Sequence, residues 1–180
     1  MADPADPIPA TAPAPIAGLP TLAALWRYWN GKRGGRALPL RTDISPLDIP
    51  QLLPHLTLVD RRDDGAFRLR LVGTAVAEAY GSDATGKTID ELLREPRLST
   101  AKHHYAAAFS SGRPMFNRNH YKTDRVMELV VSRVVLPLAD ETGRTIMLLI
   151  GHSFEYDTAV RGDYGSATPY SARDHLEYLE

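Results

Sequence analysis

Cysteine is absent from the 180 residues. Without it the chain has no disulfide, no thiolate metal site, no cysteine nucleophile and no thiol-linked cofactor. Long apolar runs are missing too: none approaches the roughly 20 residues of a membrane span. Neither sign of charge prevails. Lys plus Arg number 21 and Asp plus Glu 22, so a net charge of -1 gives no global attraction to nucleic acid. What is present suits an ordinary core: 43% hydrophobic and 24% charged residues exclude wholesale disorder. A chain of this length allows one ordinary domain with tails, or two very small ones.

The prolines are unevenly spread, six of the 14 lying in the first 20 residues. That stretch, almost only Ala, Pro and small or acidic residues, predicts an extended, mobile leader over 1–20. It has no positive n-region and no apolar h-region, so it is not a signal peptide, and a cytoplasmic location is expected. Helical periodicity then begins at Thr21. Leu22, Leu25, Trp26 and Trp29 share one face, and glycines at 31, 34 and 35 end the pattern, giving a helix and Gly-rich linker over 21–37. Such an aromatic face either packs back on its own domain or forms a dimer or partner surface. The main domain is expected over 38–156. After it, 157–180 reads as a polar tail with a short helix at its end.

Within the main domain the pattern alternates between periods. His55–Asp60 and Ala66–Val72 read as strands joined by a polar turn ending in Gly65, an antiparallel hairpin. Thr74–Tyr80 and Thr88–Leu93 read as short helices. In the second, Thr88 is the N-cap and Glu91 sits at the capping-box position. Leu98–Ser111 carries a clear apolar stripe and stops at Gly112. Three further strands follow over Pro114–Thr123, Val126–Leu138 and Thr145–Phe154. Strands at both ends of a helical centre predict an α+β fold with an antiparallel sheet.

Gly81–Thr88 matches the phosphate-loop pattern G-x-x-x-x-G-K-[ST] in full. The chemistry requires a buried strand running into Gly81, and Ala75–Tyr80 reads as a helix instead. A Gly-bounded connector is the better reading, with nucleotide binding through Lys87 and Thr88 as an alternative. The six histidines show no metal-ligand spacing. His152 falls in register with Ile146, Leu148, Ile150 and Phe154, so it is either a satisfied strand histidine or a ligand contact. Glu128 alternates with Val126 and Val130, and an inward carboxylate there needs a partner such as Arg70 or Arg133. The aromatic and basic run Phe116–Lys122 lacks an RNP-type signature and reads as a solvated strand face. No nucleophile–base constellation or carboxylate pair appears, so an enzyme with an α+β pocket stays a secondary reading.

Several segments together resemble a known family. They are Leu25–Trp29 with Arg33–Arg36, Asp48–Leu56, the R-L-V-G-T run Arg70–Thr74, and the D-x-T-G run Asp83–Gly86. They are similar to the bacterial single-domain PAS proteins, formerly described only as a domain of unknown function. The resemblance spans about Trp26 to Phe154. It implies a PAS-like five-stranded antiparallel sheet in the order 2-1-5-4-3 with helices on one face, to which the N-terminal amphipathic helix is an addition. It also implies a non-enzymatic sensory or regulatory protein that binds a small ligand, a signalling partner such as a histidine kinase, or both. No transmitter segment follows, so output is expected through association, with a homodimer the expected state. Ligand-facing positions implied by the resemblance are Leu69, Leu71, Tyr80, Tyr105, Phe109, Phe116, Val130 and Ile150; which sheet face they share stays open. Leu22, Leu25, Trp26 and Trp29 are the expected dimer or partner surface. The missing cysteine excludes flavin-adduct and thioester photosensors. A haem form would need a histidine such as His104, and no motif supports one, so no cofactor is assigned.

Overall fold

The computed structural model describes residues 8–122, 128–157 and 175–178. Among them are helices α1 (Ala14–Ala17), α2 (Pro20–Lys32), α3 (Thr74–Tyr80), α4 (Ile89–Leu92) and α5 (Arg97–Ser111). The strands are β1 (Leu56–Arg61), β2 (Phe67–Val72), β3 (Met115–Lys122), β4 (Glu128–Ala139), β5 (Thr145–Asp157) and β6 (His175–Tyr178). They form one sheet in the order β2-β1-β5-β4-β3-β6, and neighbouring strands pair antiparallel throughout. The first five strands reproduce the expected 2-1-5-4-3 order. The sixth was not expected: β6 pairs with β3, so the closing segment adds a strand where a short helix was predicted.

Each sheet face is covered by helices, and strand alternation sorts the residues between them. On one face α4 and α5 cover Val59, Phe67, Leu69, Met115, Val135, Leu148 and Ile150. On the other, Leu22, Leu25, Trp26 and Trp29 of α2 pack with Leu56, Phe116, Val134, Leu136, Leu138 and Leu149. All four α2 side chains are 0% exposed, and Trp29 Nε1 donates to the Pro137 carbonyl at 2.9 Å. Between the alternatives left open for this helix, the chain packs it on its own domain. The assignment of Leu22, Leu25, Trp26 and Trp29 to a dimer or partner surface is therefore corrected: the second face of the sheet is apolar and has to be covered. Full burial contributes roughly 1.5–3 kcal/mol for each large apolar side chain, more than an open edge contact would recover.

The proline-rich segment is likewise more ordered than its composition predicts. Ala14–Ala17 makes a helical turn, Ile16 is fully buried in the α2 core, and Pro20 sits inside the start of α2. Proline is tolerated there because the first-turn N–H has no helical partner to lose. The ordered domain thus begins well before residue 38. Two glycines allow the close contacts of this layer. A Cβ on Gly151 would stand 2.6 Å from Leu25 Cδ2, so α2 lies directly on bare backbone of β5. A Cβ on Gly73, in the R-L-V-G-T run, would stand 2.3 Å from the carbonyl oxygens of Leu53 and Pro54. That contact anchors the start of α3 to the turn before β1.

Candidate functional site

On the face that carries α3, α4 and α5, the cross-strand register lays residues in rows. Ile150, Val135 and Met115 form one row across β5, β4 and β3, and Thr57 of β1 extends it. The next row is polar: His152 opposes Arg133, and Arg133 opposes Asn117. Phe154, Val131 and Asn119 follow. The apolar rows are filled by α4 and α5, including Tyr105 and Phe109, which pack on the Phe67 ring at 5.6 and 5.7 Å between centroids. The polar row lies instead beneath Tyr80, the last residue of α3.

The polar side chains are bonded to one another. Arg133 Nη1 donates to Asn119 Oδ1 at 2.7 Å and to Asn117 Oδ1 at 3.3 Å, and Nη2 donates to the Tyr80 hydroxyl. Its guanidinium also stands 5.9 Å from the Tyr80 ring centroid. The Tyr80 ring meets His152 and Phe154 edge-on, at 6.5 and 6.3 Å, while His152 and Phe154 stack on each other at 5.9 Å. His55, in the turn before β1, lies 6.4 Å from Phe154.

His152 is the unusual member. It is 5% exposed, and its Nε2 lies 3.1 Å from Thr57 Oγ1 in a hydrogen bond whose direction follows the tautomer. Its Nδ1 is buried without a hydrogen-bond partner, as is Nδ1 of His55. Burial pushes the His152 pKa well below the usual histidine range, with the neighbouring Arg133 and His55 adding to the effect. The ring is therefore neutral at physiological pH, and one nitrogen has an unmet hydrogen-bonding requirement. A buried polar atom without a partner calls for an explanation, and an ordered water or a bound group is one that would complete the set.

The eight expected ligand-facing residues divide between the two faces. Leu69, Ile150, Tyr105 and Phe109 lie in the α4–α5 core, and Tyr80 covers the polar row. Leu71 does not join them. The register between β1 and β2 shifts at Leu58/Val59, so Arg70 is an extra residue and Leu71 turns to the α2 face. Phe116 packs in the α2 core, and Val130 shares its strand parity with Val134 of that core. Both are corrected to the face opposite the polar row. Arg133, Asn117, Asn119, Thr57, His55 and Phe154 were not among the expected site residues. For Asn117, Asn119 and Arg133 the signal was polar interruption of β3 and β4 on the inner parity. Arg70 pairs with Asp60 at 3.8 Å; the side chain of Glu128 lies outside the described residues.

Two other places were candidates for chemistry. Gly81–Thr88 follows helix α3, and several of its amides are used internally. Thr85 N–H donates to Asp83 Oδ1 at 2.8 Å, Gly86 N–H to the Leu69 carbonyl at 2.7 Å and Lys87 N–H to the Ala84 carbonyl at 3.1 Å. Thr88 N–H and hydroxyl both donate to Glu91, at 2.6 and 2.9 Å, which is the expected capping box. Four of the amides that would cradle phosphates, and the hydroxyl that would hold Mg²⁺, are thus occupied. A surface depression of about 490 Å³ at the β1–β2 turn is lined by Arg61, Arg62, Asp63, Asp64 and Arg68. There Arg62 pairs with Asp64 at 3.2 Å and Arg68 with Asp60 at 2.7 Å, an ionic surface rather than an enclosed site.

An antiparallel 2-1-5-4-3 sheet with its helices inserted between the second and third strands defines an α+β domain of the PAS type. A family model described as a PAS domain matches residues 18–152, three quarters of the chain, and the chain belongs to that sensory and regulatory family. The match takes in α2. No curated protein matches the sequence. Among the described residues no helix is long and apolar enough to cross a membrane.

Proposed function

We propose that this protein is a non-enzymatic cytoplasmic sensor that binds a small ligand on the polar row beneath Tyr80. The bound state would be passed on by association, with a second copy or with a signalling regulator such as a histidine kinase. The observation that carries the reading is His152: a neutral imidazole, almost wholly buried on the helix-covered face, with Nδ1 unpartnered, in the row that continues through Arg133 to Asn117. An array of a guanidinium, two amides and an imidazole, walled by aromatic rings, suits recognition of an oriented small molecule. The PAS family membership supports the sensory role.

Native mass spectrometry of freshly purified protein tests both parts. The expected spectrum shows a mass increment that is lost on denaturation and reduced in the Asn119→Ala variant. A spectrum of bare monomer from every expression host would contradict ligand binding and association together.

A further inference from the structure

We propose that the polar row takes an aromatic carboxylate, and that Tyr80 is the internal stand-in that fills its place when no ligand is bound. The inference rests on the preceding reading that this row binds a small molecule. It adds the ligand's chemical class and the group it displaces.

The argument starts from what Tyr80 presents to the sheet. Its ring lies edge-on to His152 and to Phe154, with interplanar angles of 80° in both cases. Its hydroxyl oxygen accepts from Arg133 Nη2. A planar ring bearing an oxygen acceptor is thus the shape already accommodated. A carboxylate on such a ring offers two acceptor oxygens and a full charge to a planar guanidinium fork, and charge-assisted bonds of this kind are about twice as strong as neutral ones. The fork is pre-aimed, because Asn117 and Asn119 both accept from its other terminal nitrogen.

His152 completes the match. In the tautomer in which the Thr57 hydroxyl donates to Nε2, the imidazole proton sits on Nδ1, which has no acceptor in the protein. A carboxylate oxygen supplies one. Tyr80 can vacate its place without loss of core: it is 45% exposed and ends a seven-residue helix followed by Gly81 in the left-handed region. A side-chain rotation then suffices, a motion far faster than ligand exchange.

The test is an NMR titration of the full chain with benzoate, benzamide and acetate. Benzamide keeps the ring and removes the charge; acetate does the reverse. Benzoate is expected to shift amides at 131–135 and 150–154. Benzamide and acetate are each expected to bind about tenfold more weakly. Tyr80→Ala removes the competitor and is expected to tighten benzoate binding about tenfold. Arg133→Gln is expected to abolish it, and the dispersion of the same spectra shows whether that variant folds. If it does not, Tyr80→Ala and the benzoate–benzamide pair decide alone. Equal binding of benzoate and benzamide overturns the proposal, as does a Tyr80→Ala variant that binds benzoate no better than wild type. A non-acidic molecule found bound to the purified protein would overturn the ligand class while leaving the ligand-binding reading in place.

Discussion

Acidification should weaken this fold through His152. The group is buried, its pKa lies well below the ordinary 6.5, and its charged form is opposed by desolvation first and then by Arg133 and His55. The sign follows from proton counting. In the unfolded chain this histidine takes up a proton as pH falls through the ordinary value, whereas in the folded chain it stays neutral. The unfolded state therefore binds more protons, and stability falls with pH below about 6.5 until the folded pKa is reached. For one such group the loss is at most about RT ln 11, or about 1.4 kcal/mol, near pH 5.5, against less than about 0.1 kcal/mol near pH 7.5. With a urea dependence of about 2 kcal/mol per molar, the unfolding midpoint moves down by at most roughly 0.7 M. The assay is urea unfolding at several pH values for wild type and His152→Gln. The variant is expected to be less stable throughout, because Thr57 loses its partner, but its midpoint should vary less with pH by up to this amount. Parallel pH profiles for the two proteins would refute the burial argument.

Other perturbations report on different parts of the structure. Gly151→Ala forces a Cβ into Leu25 and is expected to cost about 1–3 kcal/mol in thermal or urea unfolding. Gly73→Ala should cost more, since its Cβ meets carbonyl oxygens of the backbone and not flexible side-chain ends; equal stability of wild type and Gly73→Ala would show the turn before β1 to be freely adjustable. Thr88→Ala removes the N-cap of α4 and should destabilise by about 1 kcal/mol. Calorimetric titration of Mg-ATP should show no binding that depends on Lys87; tight binding lost in Lys87→Ala would overturn the connector reading of Gly81–Thr88.

The elements were largely readable from local pattern. Thr74–Tyr80 as a helix, the Thr88–Glu91 capping box and the stop at Gly112 follow from residue chemistry within one or two turns. The faces were harder. Alternation says which residues share a side of a strand but not which side is inner, so Phe116 and Val130 were placed on the wrong one. Leu71 was lost to a different cause: one extra residue at Arg70 inverts parity, and nothing in the Phe67–Val72 pattern announces it. The leader was misread because composition argues against regular structure, while Ile16 gains more by entering the α2 core than the turn loses. The site itself was half visible. His152 stood out by register, but the meeting of Arg133, Asn117 and Tyr80 depends on pairing between segments far apart in the chain.

The most direct test of the central claim compares ¹H–¹⁵N spectra of the protein as purified with those of the same sample denatured and refolded free of small molecules. The imidazole nitrogens of His152 are observed alongside the backbone. The account predicts that differences centre on Asn117, Asn119, Arg133 and His152, with the Nδ1 resonance moving on loss of its partner. Differences centred on α2, or on the β1–β2 turn, with His152 unchanged would contradict it.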